Sequence, residues 1–114
     1  MEFPKDQIDE LKSIAPSLSI AEEGGYTYIH IKDLKLPEGC EPAVVDALLC
    51  PVSRDGYCSR LFFSSRISCP VPGLNWNGNI RVLGSNWYAI SWRTTQTYRL
   101  LETLIIHLKA FSKQ

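Results

Sequence analysis

Four cysteines are the residues of this chain best suited to covalent chemistry. Cys40, Cys50, Cys58 and Cys69 lie ten, eight and eleven residues apart. Neither a Cys-x-x-Cys pair nor a nearby histidine completes a zinc site, so we expect four free thiols. Cys69, in a loop, and Cys58, which has arginines nearby, are the candidate nucleophiles because exposure and basic neighbours favour a reactive thiolate.

Amide and aromatic side chains form a second group of candidates. Asparagines are turn formers first, but an amide near a reactive carbonyl could donate to a developing oxyanion. A tryptophan between two asparagines is a candidate hot spot for binding a protein. The predicted binding residues are Trp76, Asn77, Asn79 and Trp87. Both histidines, His30 and His107, are interpreted as structural.

Composition and charge restrict the possible partners. Twelve basic side chains balance twelve acidic ones, and no short segment is strongly basic, which disfavours nucleic acid and anionic lipid. No apolar tract is long enough to span a membrane, and the N-terminus lacks the pattern of a secretory signal. We therefore expect a cytoplasmic protein with protein partners or small neutral ligands, and with neither a metal nor a cofactor.

The first half of the chain predicts one helix followed by four strands. Residues 3–15 have apolar side chains at helical spacing, and Pro16 ends the helix. Alternating and apolar runs then predict strands joined by short connections, which is typical of an antiparallel meander. The strand predictions start near Leu18 and Ile20 and continue with residues 26–31, 44–50 and 60–67.

The second half predicts an irregular segment and a helix. Proline, glycine and asparagine interrupt residues 68–92, which hold or border all three tryptophans. Residues 97–112 carry an apolar stripe at helical spacing. The sequence therefore predicts one α+β domain, residues 1–114, with an N-terminal helix, a four-stranded antiparallel meander, an irregular aromatic-rich segment and a C-terminal helix.

Four short stretches and one tryptophan carry a resemblance to a known family: Leu36-Pro37-Glu38-Gly39, Asp46-Ala47-Leu48-Leu49, residues 63–71, residues 78–83 and Trp92. They resemble parts of ubiquitin-conjugating enzymes, in particular of a prokaryotic group that accompanies ubiquitin-like modification systems. The first stretch is similar to the turn before the third strand of that family, and the second is similar to that strand. Residues 63–71 and 78–83 resemble the stretches around the active site, and Trp92 resembles the tryptophan that follows it. The resemblance implies a ubiquitin-conjugating fold and partners that are a ubiquitin-like modifier or its activating enzyme.

The same resemblance places Arg81 where the family has its catalytic cysteine. A guanidinium cannot carry a modifier as a thioester, because that step needs a thiolate. Val71 likewise stands where the family has an asparagine amide for the oxyanion. Three hypotheses follow: a non-catalytic binding module, a transferase that uses Cys69 or Cys58 instead, or an unrelated α+β adaptor domain.

Overall fold

In the described part of the chain, six antiparallel strands form one sheet, with a helix before the first strand and another after the last. The computed structural model describes residues 3–54, 56–69, 71, 74–91 and 99–111. The helices are α1 (Lys5–Lys12) and α2 (Leu100–Leu108), and α2 continues into a 3-10 turn, Lys109–Phe111. The strands are β1 (Leu18–Glu23), β2 (Tyr26–Lys35), β3 (Val44–Cys50), β4 (Arg60–Phe63), β5 (Trp76–Val82) and β6 (Ser85–Ile90). Their order in the sheet is β1-β2-β3-β4-β6-β5.

This architecture confirms the α+β class, both helices and the meander of the first four strands. The predicted count of four strands is too low, because the segment expected to be irregular contains β5 and β6. Leu83 and Gly84 connect them with positive φ angles of 50° and 78°, as a tight two-residue hairpin turn requires. Leucine rarely adopts this conformation, so the sequence does not indicate a turn at this position. Residues 92 and 97, and the predicted helix end at 112, lie outside the described residues.

Asp46 lies beside two places where strand lengths differ from the prediction. Its Oδ1 accepts the backbone N–H of Asp33 at 3.0 Å, where a positive φ of 56° accompanies a register shift and β2 runs on to Lys35. On the other side, the Asp46 carbonyl oxygen accepts the N–H of Ser64 at 2.9 Å, although β4 ends at Phe63 and is therefore shorter than predicted.

Alternation along the strands divides the core into two parts, one on each face of the sheet. The helix-side core, between the sheet and the helices, contains Leu11, Ile29, Ile31, Leu49, Phe63, Ile90, Leu104, Phe111 and ten other buried residues. The second core, on the opposite face, contains Tyr28, Leu48, Cys50, Phe62, Val82, Trp87 and Ala89. Both faces of β3 and β4 are thus covered, which agrees with their mostly apolar sequences.

The sheet curls around the second core. The rings of His30 on β2 and Trp87 on β6 have centroids 6.0 Å apart, although β3 and β4 lie between these strands. Three strand spacings would separate them by about 14 Å in a flat sheet. At the tip of the β5–β6 hairpin, the Leu83 N–H donates to the Glu23 carboxylate of β1 at 3.0 Å. The hairpin therefore bends towards the other edge of the sheet and encloses the second core.

Arg99 and Gln7 dock the two helices against each other. Nε of Arg99 donates to Glu10 and its Nη2 donates to Asp6, both at 3.0 Å. The Gln7 amide oxygen accepts the N–H of Leu100 at 3.0 Å, which satisfies one of the donors that every helix start leaves open. Side chains of α1 thus hold the first turn of α2 in place.

Within the described ranges, neither helix has the length and apolar character needed to cross a membrane.

Candidate functional site

The four thiols lie in three different environments. Cys58 is exposed in the loop before β4, and Cys69 is half-buried after β4. Cys40 and Cys50 are buried, the first in the helix-side core and the second in the second core. Cys69 also packs against the helix-side core, and its Sγ donates to the Val71 carbonyl at 3.6 Å. Of the two candidate nucleophiles, Cys58 is therefore the more accessible.

Arg81 lies on β5, the last strand of the sheet, with its side chain exposed. It pairs across the ladder with Asn86 of β6, and its Nη1 donates to the Asn86 Oδ1 at 3.3 Å. Alternation turns both side chains away from the second core, to which Ile80 and Trp87 belong. The Asn86 amide thus orients the Arg81 guanidinium through one contact, while the side chain stays exposed to solvent.

A tyrosine and a second arginine lie next to this pair. Tyr88 follows Asn86 on the same face of β6, and the Arg66 Cζ is 6.0 Å from the centre of the Tyr88 ring. The ring approaches the backbone of β5 so closely that a Cβ added to Gly78 would lie 3.2 Å from its Cε1 and 3.8 Å from the Arg66 Nη2. A methyl group at this position would therefore require the Tyr88 ring to shift by a few tenths of an ångström. We call Arg66, Gly78, Arg81, Asn86 and Tyr88 the hairpin face.

Only some of the predicted binding residues belong near this face. Trp76 is half-buried, and its ring packs against Phe63 and Phe111 at centroid distances of 6.0 and 6.2 Å. Trp87 is 6% exposed and its Nε1 donates to the Val82 carbonyl at 3.0 Å. The two tryptophans therefore fill opposite cores rather than one surface.

The two asparagines of β5 are exposed but lie at a break in its ladder. The register between β5 and β6 shifts between Asn77 and Ile80, and Asn79 has a positive φ of 56°. The Asn77 amide donates to the Ser91 hydroxyl at 2.8 Å. Asn79 thus adopts the left-handed backbone conformation where the ladder shifts, two residues before Arg81, as its turn-forming character predicts.

Sequence reasoning missed the contribution of two arginines that close the second core. The guanidinium of Arg54 lies 4.8 Å from the Tyr26 ring and 5.4 Å from the Phe62 ring, and its Nη1 donates to the Tyr28 hydroxyl at 2.7 Å. Arg60, only 6% exposed, lies 4.6 Å from the Tyr57 ring. Planar guanidinium groups stack well on aromatic rings. A run of aromatics at alternate positions of β2, followed by basic residues in a loop, is the only sequence signal for this packing.

Ser59 and His107 form a buried pair that resembles a nucleophile and its base. The Ser59 Oγ and the His107 Nε2 are 2.7 Å apart, and the residues are 5% and 4% exposed. Burial, with a smaller contribution from the charge of Arg60, lowers the pKa of His107 to about 4. A catalytic imidazole is normally supported by an anion and open to substrate, whereas this one is buried near a cation. The pair is structural, as the sequence interpretation of His107 expected.

Chemically, the hairpin face offers two permanent cations and a phenol, which suits a carboxylate or an extended peptide segment. In the described part of the chain, histidine, cysteine and carboxylate side chains do not gather into a group of three that could hold a metal ion. Comparison of the chain with protein-family models, with curated proteins and with solved structures finds no match.

Proposed function

We propose that this chain is a non-catalytic protein-binding module, similar to ubiquitin-conjugating enzymes, that docks the carboxyl-terminal tail of a ubiquitin-like modifier on the hairpin face. The observation that supports it most is the position of Arg81: an exposed guanidinium on the outermost strand, oriented by Asn86 at 3.3 Å. The resemblance of residues 78–83 to the stretch around the family's active site suggests the modifier as the partner. A cytoplasmic location and a role beside the modifier's activating enzyme belong to the same proposal.

The chemistry of Arg81 favours docking over transfer. A guanidinium stays protonated at every physiological pH and cannot attack an activated carboxylate. It can instead bind a carboxylate through two parallel N–H donors, which gives both affinity and orientation. A modifier tail ends in such a carboxylate, so Arg81 would hold the tail in place where a thioester enzyme would bond to it.

The remaining residues of the hairpin face suit an extended tail. β5 is one of the two edge strands of the sheet, and a peptide can add to such an edge through main-chain hydrogen bonds. The break at Asn79 limits regular pairing to a short stretch, so side chains must supply much of the affinity. Tyr88 provides an aromatic surface and Arg66 a second cation on the same face.

Binding of the tail can be measured by calorimetry with the ubiquitin-like protein encoded in the same genome, its carboxyl terminus either free or amidated. Arg81→Ala should weaken binding of the free form by about tenfold or more, since a charge-assisted contact is worth about 1.5–3 kcal/mol. Lys32→Ala, which removes an exposed cation of β2, is the matched control and should change little. Equal loss in both variants, or equal affinity for the amidated tail, would contradict docking at Arg81.

Absence of transfer is tested separately. The protein is incubated with the activating enzyme, ATP and the modifier, and a non-reducing gel is searched for a thiol-sensitive adduct. We expect none. An adduct that forms on the unmodified protein and disappears in Cys69→Ser or Cys58→Ser would refute the binding module and support a transferase.

One observation favours such a transferase as the second candidate. Cys58 is exposed in the loop before β4, and a nucleophilic thiol must be accessible to its substrate. If the gel gives an adduct, Cys58→Ser should remove it more completely than Cys69→Ser, because Cys69 packs against the helix-side core. If the modifier tail does not bind and no adduct forms, the third hypothesis, an unrelated α+β adaptor domain, remains.

A further inference from the structure

Cys40 and Cys69 are brought together by a single β-bridge between two loops. Glu41 and Ser68 form an antiparallel bridge, in which the Glu41 N–H donates to the Ser68 carbonyl at 2.7 Å and the Ser68 N–H donates to the Glu41 carbonyl at 2.8 Å. In a regular antiparallel ladder, a residue pair that exchanges two backbone hydrogen bonds is flanked by pairs without hydrogen bonds, whose Cα atoms lie about 4.5 Å apart. Cys40 precedes Glu41 and Cys69 follows Ser68, so the two cysteines occupy the flanking positions on one side of this isolated bridge.

Burial along the two loops supports this register. Glu41 and Ser68 are exposed, whereas Cys40 is buried and Cys69 is half-buried. Both cysteines pack on the helix-side core, as side chains on one side of a bridge should. Burial, and then the charge of Cys69, raises the pKa of the Cys40 thiol, in agreement with this placement.

Cα separations of about 4.4–6.8 Å are compatible with a disulfide, and pairs without hydrogen bonds fall at the lower end of this range. The other two cysteines have no such relation to this pair: Cys50 lies in the second core and Cys58 is exposed in the loop before β4. We propose that Cys40 and Cys69 are a peroxide-sensitive pair that closes into a reversible disulfide. This inference does not depend on the proposed function.

The reaction needs only hydrogen peroxide as the oxidant. Cys69, the more accessible thiol, attacks one peroxide oxygen as its thiolate; the O–O bond breaks, hydroxide leaves, and a sulfenic acid forms on Cys69. The Cys40 sulfur then attacks the Cys69 sulfur, and hydroxide departs and combines with the proton of the Cys40 thiol as water. Overall, two thiols lose two hydrogen atoms, and one peroxide becomes two waters.

The bond would fix the loop between β2 and β3 to the segment that follows β4. Cys69 lies three residues after Arg66 of the hairpin face, so oxidation would also limit the movement of the chain that carries Arg66. Reduction by a dithiol restores both loops.

The test is peroxide treatment of the folded protein, alkylation of the remaining thiols, and mass spectrometry of the fragments. Trypsin combined with a protease that cuts before aspartate separates Cys40 from Cys50, because Asp46 lies between them. The dominant cross-link should join residues 36–45 to residues 67–81, with the loss of two hydrogen masses, and dithiothreitol should remove it. Cys58→Ser should form the same link, whereas Cys69→Ser should leave Cys40 available for alkylation.

Treatment of the urea-unfolded protein is the control for geometry. There we expect several cysteine pairings in comparable amounts, because the bridge no longer selects one. The proposal is overturned if Cys40 and Cys69 are both still reduced, and are therefore both alkylated, after peroxide has oxidised Cys58. It is equally overturned if the folded protein gives the same mixture of links as the unfolded one.

Discussion

Acidification from about pH 7 to about pH 5 should destabilise the fold through one residue, His107. Its imidazole is buried, lies 2.7 Å from the Ser59 hydroxyl and has a pKa of about 4 instead of the usual 6.5. In the unfolded chain the same group takes up a proton near pH 6.5. Between these two pKa values the unfolded state binds more protons than the folded state, so the free energy of unfolding must fall as the pH falls.

The size of the effect follows from the two pKa values. The contribution of His107 is complete above about pH 6.5 and is lost progressively until about pH 4, a total of about 3 kcal/mol. Of this, about 2 kcal/mol should be lost between pH 7 and pH 5. Ordinary carboxylates titrate mostly below that interval. Arg99, mainly through its hydrogen bond, lowers the pKa of Asp6, so Asp6 contributes only at still lower pH.

Urea unfolding followed by tryptophan fluorescence at a series of pH values measures this slope. His107→Gln keeps a polar group for Ser59 but cannot be protonated, so its stability should hardly change from pH 7 to pH 5. His30→Gln is the matched control, since the chain has two histidines, and it should retain the slope of the unmodified protein.

NMR titration of the folded protein provides a check that needs no variant. The ring protons of His107 should keep their neutral chemical shifts down to about pH 5. A midpoint near pH 6.5 for this ring, or an unchanged slope in His107→Gln, would show that burial does not control its protonation.

Two further predictions concern packing. Phe111 is fully buried against Phe63, with ring centroids 5.3 Å apart, so Phe111→Ala should lower the free energy of unfolding in urea by about 3–5 kcal/mol. Ile105→Ala, at a position 44% exposed, should cost much less, and similar losses in both variants would contradict the position of the helix-side core. Gly78→Ala should cost about 1 kcal/mol because its methyl group meets the Tyr88 ring at 3.2 Å; the cost should vanish in a Tyr88→Ala background, and its persistence there would refute the close packing.

Much of the fold could be predicted because local sequence and final structure agree in the first half of the chain. Residues 44–50 are apolar except for Asp46, and the strand they form is covered on both faces by the two cores. The strand of residues 26–31 was predicted by its alternation, and its continuation to Lys35 was not, because the bulge depends on a side chain of the next strand. Contacts between strands are not visible in a single strand's pattern.

The β5–β6 hairpin could not be predicted for a related reason. Its turn places Leu83 at a positive φ, which leucine does not favour by itself. A distant contact holds it there, since the Leu83 N–H is bound by the Glu23 carboxylate at the opposite side of the curled sheet. The glycine and asparagines of β5 indicate a loop locally, while Trp76 and Val82 anchor the two ends of the strand in different cores.

The same hairpin explains why Arg81 is exposed although most of the sheet is covered. Helix α2 and the 3-10 turn cover the part of the sheet where Phe63, Ile90 and Phe111 pack together. Further along β6, towards the turn, Tyr88 is half-buried and Asn86 is exposed. Because the sheet curls so that the hairpin tip contacts Glu23, the second core takes one face of this hairpin and leaves the other face outside. A cation placed on that outer face contributes little to stability when exposed, which is compatible with the docking proposed for Arg81.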